Sequence, residues 1–308
     1  MRYRPLGVSG MSVSAVSLAL NDTEGRNRPA DWRDLIYAAL ENGVNAFEVV
    51  GRHPSIAGGL VQALQTVERR LVFVAWRLGA SLSHTGALVR DFSPKGLTYA
   101  VDSVLARTDL EYLDAVILDD PRSDELTPNA LAALKDSRAA GKARMLGVAG
   151  EDEAIDAYIA SGAFDLLATP FNLASGWKQR LRLKAAVERN MGVIGYDHHP
   201  HALQDVRAAA PRPSFWRGRP KPLAGAGTYA FLEATPGWTS EALCLAYALT
   251  EPCLATVQIA ADRPERVESL AQVAERDLPA GVGAQIEMAR FGPSAPDRSR
   301  AAHGARRA

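Results

Sequence analysis

The sequence predicts an α/β protein folded as one closed (β/α)8 barrel, a TIM barrel, with an N-terminal β-hairpin in front of it. Three observations predict this. Eight short apolar runs rich in β-branched residues recur along the chain, amphipathic segments separate them, and no two successive runs are joined as an antiparallel hairpin. Strict alternation of strand and helix gives parallel pairing, and eight such units close into a barrel. The length of 308 residues fits one such barrel or two average domains, so the alternation decides.

The elements follow in order. "RYRPLGVSGMSVSA" reads as a hairpin turning at Gly7 to Gly10, placed to plug one end of the barrel. The strands are "AVSLAL" (15–20), "VNAFEV" (44–49), "LVFVAW" (71–76), "LDAVIL" (113–118), "ARMLGVA" (143–149), "FDLLAT" (164–169), "GVIGY" (192–196) and "LATVQIA" (254–260). Among the helices, "DWRDLIYAALENG" has Asp31 as its expected N-cap and Gly43 as its stop, and "PNALAALKDSRAAGKA" ends at Gly141. Residues 1–292 are assigned to the barrel. Within them, 200–235 reads as a long Pro/Gly/Arg-rich loop after the seventh strand, on the face where barrel active sites lie. Residues 293–308 have no apolar periodicity and read as a disordered basic tail.

Lys plus Arg equals Asp plus Glu at 35 each, so no overall field attracts nucleic acid or an anionic membrane. A small-molecule ligand or a protein partner is expected instead. "MRYRPLGVSG" lacks the apolar stretch of a signal peptide and no run is long enough to span a bilayer, so the expected location is the cytoplasm. Cys244 and Cys253 are nine apart where a helix runs towards a strand, and read as buried reduced thiols.

Barrel chemistry collects at the C-terminal ends of the strands. There the sequence places Asn21 and Asp22, Glu48 and His53, Arg77, Asp119 and Asp120, Glu151, Asn172, Asp197 and His198, and Asp262 with Arg263. Glu48 and His53, in "GVNAFEVVGRHP", form a candidate acid/base pair, or Glu48 is simply the ion-pair partner of Arg77. "DHHPH" brings His198, His199 and His201 close together in sequence. Neighbours on an extended strand point to opposite sides, however, and no ligand spacing is present, so no metal site is assigned. Arg212, Arg217 and Arg219 with Trp216 read as an anion clamp or as a solvated loop, and Trp76 as pocket wall or core.

"YRPLGVSGMSVSAVSLAL", "GVNAFE…H…AL", "LDAVILDDP", "GKARMLGVAG" and "FDLLATPFN" occur in the order found in aldo-keto reductases. Over roughly its first 200 residues and the eighth-strand region the chain resembles that family. The resemblance implies NADPH-dependent carbonyl reduction by an Asp, Tyr, Lys, His tetrad, the tyrosine donating a proton while the cofactor delivers hydride. In this sequence Glu48 stands at the aspartate position, His53 at the tyrosine, Arg77 at the lysine and Asp119 at the histidine. An imidazole replaces a phenol and a fixed guanidinium replaces a tunable amine. Where the family holds the nicotinamide carboxamide with a Ser-Asn pair and a Gln, this chain has Ala149, Gly150 and Ala168. Tyr196 matches the aromatic that stacks on the nicotinamide. Arg266 in "RPERV", with Arg263 near it, matches the adenine end, while Ala260 and Asp262 count against a 2′-phosphate there. Tyr196, Arg263 and Arg266 are thus the candidate NADPH-binding residues.

Three readings of function stand open. The leading one is a family barrel with a replaced tetrad that binds a ligand or partner without conventional carbonyl reduction. The second is a divergent NAD(P)H-dependent reductase with His53 as proton donor. The third is a non-redox acid/base enzyme, an isomerase or lyase, using Glu48 and His53.

Overall fold

The computed structural model describes residues 1–22, 28–82, 88–199, 229 and 231–290. It contains two compact units, Met1–His198 with Cys244–Asp277, and His199–Leu243 with Leu278–Ala308.

In the first unit, β1 (Tyr3–Pro5) and β2 (Ser12–Ser14) pair antiparallel as the expected hairpin. The turn uses left-handed backbone at Gly7 and Gly10, where φ is +56° and +75°. Gly7 also lies so close to the start of a barrel strand that a Cβ there would come within 2.6 Å of the Gly192 nitrogen. Leu6 and Val13 of this hairpin are buried among the barrel's inward side chains, which makes it a plug.

Eight parallel strands then close the barrel. The first three are β3 (Val16–Leu20), β4 (Ala46–Val49) and β5 (Phe73–Leu78). After a second hairpin of β6 (Ala80–Leu82) and β7 (Leu88–Arg90) come β8 (Leu113–Asp119), β9 (Ala143–Ala149), β10 (Leu166–Pro170), β11 (Gly192–Tyr196) and β12 (Thr256–Ile259). All eight expected strands are present, and β12 pairs with β3 to complete the ring. Alternate residues face inward. Phe73, Ala75, Ala115, Ile117, Ala168 and Ile194 fill the interior, and continuing the same alternation brings Glu48, Arg77, Asp119 and Tyr196 to the mouth.

The β6–β7 hairpin corrects the expectation that no antiparallel hairpin interrupts the barrel. Gly79 leaves β5 at φ +95°, with the Phe92 ring packed where a side chain would be. Arg90 of β7 then fastens the hairpin. It donates to both Glu125 oxygens, at 3.0 and 2.6 Å, and to the Asp120 carbonyl at 2.7 Å.

The helices are α1 (Pro29–Glu41), α2 (Pro54–Leu64), α3 (Pro94–Thr108), α4 (Pro128–Ala139), α5 (Glu153–Ser161) and α6 (Trp177–Glu188). They are followed by α7 (Phe231–Ala234), α8 (Ser240–Leu249), α9 (Pro264–Ala271) and α10 (Val282–Arg290). Pro at the first helical position opens α1 two residues before Asp31. Asp31 therefore lies within the first turn, binding the Arg28 guanidinium at 2.7 Å, and is not the N-cap. Gly43 and Gly141 end α1 and α4 at φ +77° and +74°, as expected. Within the expected 200–235 loop, 231–234 form α7; His201, Arg212, Trp216, Arg217, Arg219 and the tail 293–308 lie outside the described residues. Neither cysteine is in a disulfide, and only Cys244 is buried; Cys253 is partly exposed. Among the described residues no helix is long and apolar enough to cross a membrane.

Candidate active site

Glu48 is the second inward residue of β4 and is 2% exposed. A carboxylate buried this deeply must be paired or protonated. It is paired: Arg77 donates Nε to one oxygen at 2.5 Å, and Gln258 of β12 donates its amide to the other. Arg77 reaches on with Nη1 to Asp119 Oδ1 at 3.1 Å, and Asp119 Oδ2 accepts from Arg52 Nη2 at 3.2 Å. The charges alternate along the chain Glu48, Arg77, Asp119, Arg52. Burial works against the Arg77 charge, but Glu48 and then Asp119 outweigh it and hold its pKa above the ordinary arginine value.

Arg52 is the member of this chain that sequence reasoning missed. Asp22, at the end of β3, accepts the backbone N–H of Arg52 at 2.9 Å and of His53 at 2.8 Å, fixing the loop after β4. With the loop held so, the Arg52 side chain turns to the mouth. His53 takes the N-cap position of α2, which Pro54 at the first helical position demands. Its Nδ1 accepts from the Ser55 backbone nitrogen at 3.2 Å and lies 2.6 Å from the Ser55 hydroxyl. That hydroxyl in turn accepts from the buried Trp32 indole at 2.9 Å. An acceptor role for Nδ1 puts the proton of neutral His53 on Nε2. Nδ1 is thus committed to the helix start, and Glu48 and His53 do not form a hydrogen-bonded pair.

Tyr196 closes another side of the mouth, with the Arg77 guanidinium 5.0 Å from its ring centroid. Burial raises the Tyr196 phenol to about 12, with Arg77 pulling the other way and Glu151, Asp120 and Asp119 adding to the rise. Ala149 and Ala168 present only methyl groups to the interior. At Gly150 a Cβ would come within 2.4 Å of Asp120 Oδ1, so no side chain fits without movement. Burial, and then repulsion by Asp152, also raise the Asp120 carboxyl, against the opposing pull of Arg90. Arg263 is the exposed N-cap residue of α9, with Nη1 3.6 Å from Asp262, and Arg266 lies half-buried in the same helix.

The remaining rim residues are mostly structural. His198 is buried with Nδ1 3.0 Å from the Gln258 carbonyl, and Asn172 donates to the Asp197 carbonyl at 3.1 Å. His199, in the second unit, lies 3.3 Å from the Ser240 hydroxyl. Among the described residues no three His, Cys, Asp or Glu side chains converge as a metal site. Two further site residues had a signal in the sequence. Gln258 is the one amide side chain inside "ATVQIA", and Pro54 after His53 marks a helix start rather than a free loop histidine.

Comparison with known proteins bears on the same residues. The family model described as "Aldo/keto reductase family" matches residues 17–290. No curated protein matches the sequence. Among solved structures, the holo form of an aldo-keto reductase from Bacillus halodurans superposes with a TM-score of 0.76 at 18% identity, covering 97% of this chain and 98% of that one. The glycerol dehydrogenase of Gluconobacter oxydans superposes with a TM-score of 0.71 at 20% identity, covering 96% and 98%. At these identities the superpositions show the shared barrel, while the family model spans most of the chain. This chain belongs to the aldo/keto reductase family.

Proposed function

We propose that this barrel binds a ligand or protein partner at its mouth and does not perform the NADPH-dependent carbonyl reduction through a tyrosine-centred tetrad that its family implies. The carrying observation is the alternating chain of Glu48, Arg77, Asp119 and Arg52. Both oxygens of Glu48 and both of Asp119 accept hydrogen bonds within the network, so each carboxylate is held in place by a cationic or amide donor. Such a network is an ion-pair structure first, and it persists without turnover.

The nicotinamide half of the cofactor fits these residues poorly. Orienting a carboxamide for hydride transfer needs side-chain donors and acceptors, and Ala149, Gly150 and Ala168 supply none. The Tyr196 ring already carries a guanidinium over it. Arg263 and Arg266 remain as groups suited to the adenine end, so dinucleotide binding, if measured, would rest on that half. The reading that uses His53 as a base requires a ring lone pair, and that of Nδ1 already accepts from the α2 N-terminus; the reading that uses it as proton donor is left with Nε2–H alone.

The test is fluorescence titration with NADPH and NADH, followed by a broad panel of aldehydes and ketones. The expected outcome is no reduction above background. Turnover on the order of 1 s⁻¹, at the low end of ordinary enzymes, would overturn the reading.

A further inference from the structure

We infer that the cleft between α2 and α3, on the flank of the barrel, is a binding site for an amphipathic anion with a flat apolar body. Its cavity is about 800 Å³, within the span of ligand pockets, roughly 300–1,000 Å³. The cavity follows from residue size. Ala57 of α2 and Gly96, Ala100 and Ser103 of α3 line it, so both helices present small residues where larger ones would fill the gap. Behind them, strand alternation turns Ala75 and Arg77 into the barrel and Trp76 out of it, laying an indole along the cleft with Val50, Leu78 and Val104.

The polar groups lining the cleft are sorted by sign. Of its two carboxylates, Asp22 accepts the Arg52 and His53 backbone nitrogens, and Asp91 accepts that of Ser93 with Oδ1. Three donors in the lining have capacity to spare. Arg107 makes one hydrogen bond, from Nε to the Ser103 carbonyl at 3.2 Å, and pairs with no carboxylate among the described residues. The Tyr99 hydroxyl stands at the rim, 75% exposed, without a hydrogen bond among the described residues. His53, with Nδ1 occupied, has Nε2–H left to give. Apolar walls with uncommitted donors at the edge suit a planar hydrophobic molecule ending in a carboxylate, sulfonate or phosphate. The cleft runs down the flank from the barrel mouth, whose Arg52, His53 and Arg77 also line it; the inference rests on the α2 and α3 walls below them and stands whether or not the mouth reduces carbonyls.

The test uses the full chain and two dyes, the anionic 8-anilinonaphthalene-1-sulfonate and the uncharged N-phenyl-1-naphthylamine. One sulfonate dye is expected to bind per folded chain with a Kd below about 100 μM. Ala100→Leu, which fills the cleft, is expected to abolish binding; Ser103→Leu fills it from the next turn of α3, should either variant fold poorly. Arg107→Gln is expected to weaken the sulfonate dye about tenfold while leaving the uncharged one unchanged, the size of one charged contact. Binding that survives blocking in a folded variant would overturn the site, as would no binding up to about 1 mM. An unchanged sulfonate affinity in Arg107→Gln would overturn the anion.

Discussion

Arg52 reaches Asp119 across the barrel mouth, Nη2 to Oδ2 at 3.2 Å, and so neutralises from a loop the carboxylate that ends β8. The contact extends the Glu48–Arg77 pair to two acids and two guanidinia, and the first predictions concern what happens when a member is removed.

Arg77→Ala strands a carboxylate that is 2% exposed. Breaking a buried pair from one side costs roughly 3–5 kcal/mol, whereas apolar replacement of both partners is often neutral. Urea unfolding is expected to show that loss for Arg77→Ala and recovery of most of it in Glu48→Leu/Arg77→Met. A double-mutant cycle without coupling between the two positions would remove the pair from the account of stability.

His53→Tyr restores a phenol at the position where the family resemblance places one, yet is expected to give no NADPH-dependent reduction. Arg77, Asp119, Ala149 and Ala168 are unchanged in that variant, and Arg52 still occupies the mouth. The variant also loses the α2 cap, worth about 0.5–2 kcal/mol, so its melting temperature should fall modestly. Steady-state assay with a carbonyl panel and a thermal melt check both halves; appearance of reductase activity would show that cofactor docks productively.

How much of this was legible in the sequence differs between fold and site. The strands were legible because each is a short apolar run bounded by helix patterns, and inward alternation from Ala46, Ala75, Ile117 and Ile194 correctly carries Glu48, Arg77, Asp119 and Tyr196 to one mouth. The β6–β7 hairpin was not legible, because strands of three residues are too short for a period to register and Arg90 holds them through a partner 35 residues away. At the site, the choice between Arg52 and His53 is made by the direction of one loop, and Asp22 sets that direction from 30 residues upstream. Only Pro54 hinted at it.

Tyr196 gives a prediction on the alkaline side. Burial raises its phenol from 10.0 to about 12. A raised folded value means that its contribution to stability is complete below the unfolded pKa near 10 and is lost as pH rises through about 12. Unfolding measured from pH 9 upward should therefore decline less steeply in Tyr196→Phe than in the unaltered protein. Parallel curves would show that the phenol stays accessible to water.

Glu125 predicts the opposite sign at acid pH. The hydrogen bonds from Arg90 are the largest cause that lowers its carboxyl from 4.5 to about 2, with the Arg122 backbone nitrogen assisting. A depressed value contributes stability above 4.5 that disappears as pH falls through about 2. Arg90→Gln is expected to be less stable than the parent at pH 6, with the gap narrowing steadily towards pH 2. A gap independent of pH would assign the Arg90 effect to packing on Phe92 rather than to its charge.

The alternating mouth also constrains ancestry. The two inner members are shared, so substituting Arg77 alone leaves the buried Glu48 without its counter-ion and substituting Asp119 alone leaves Arg52 without its own. A lineage carrying this arrangement can exchange Arg77 or Asp119 only together with a partner, or after stabilising changes elsewhere have made the intermediate tolerable. The network is in that sense a ratchet: single-step drift back towards a different set of ionisable groups passes through a destabilised protein, whatever advantage the destination would confer.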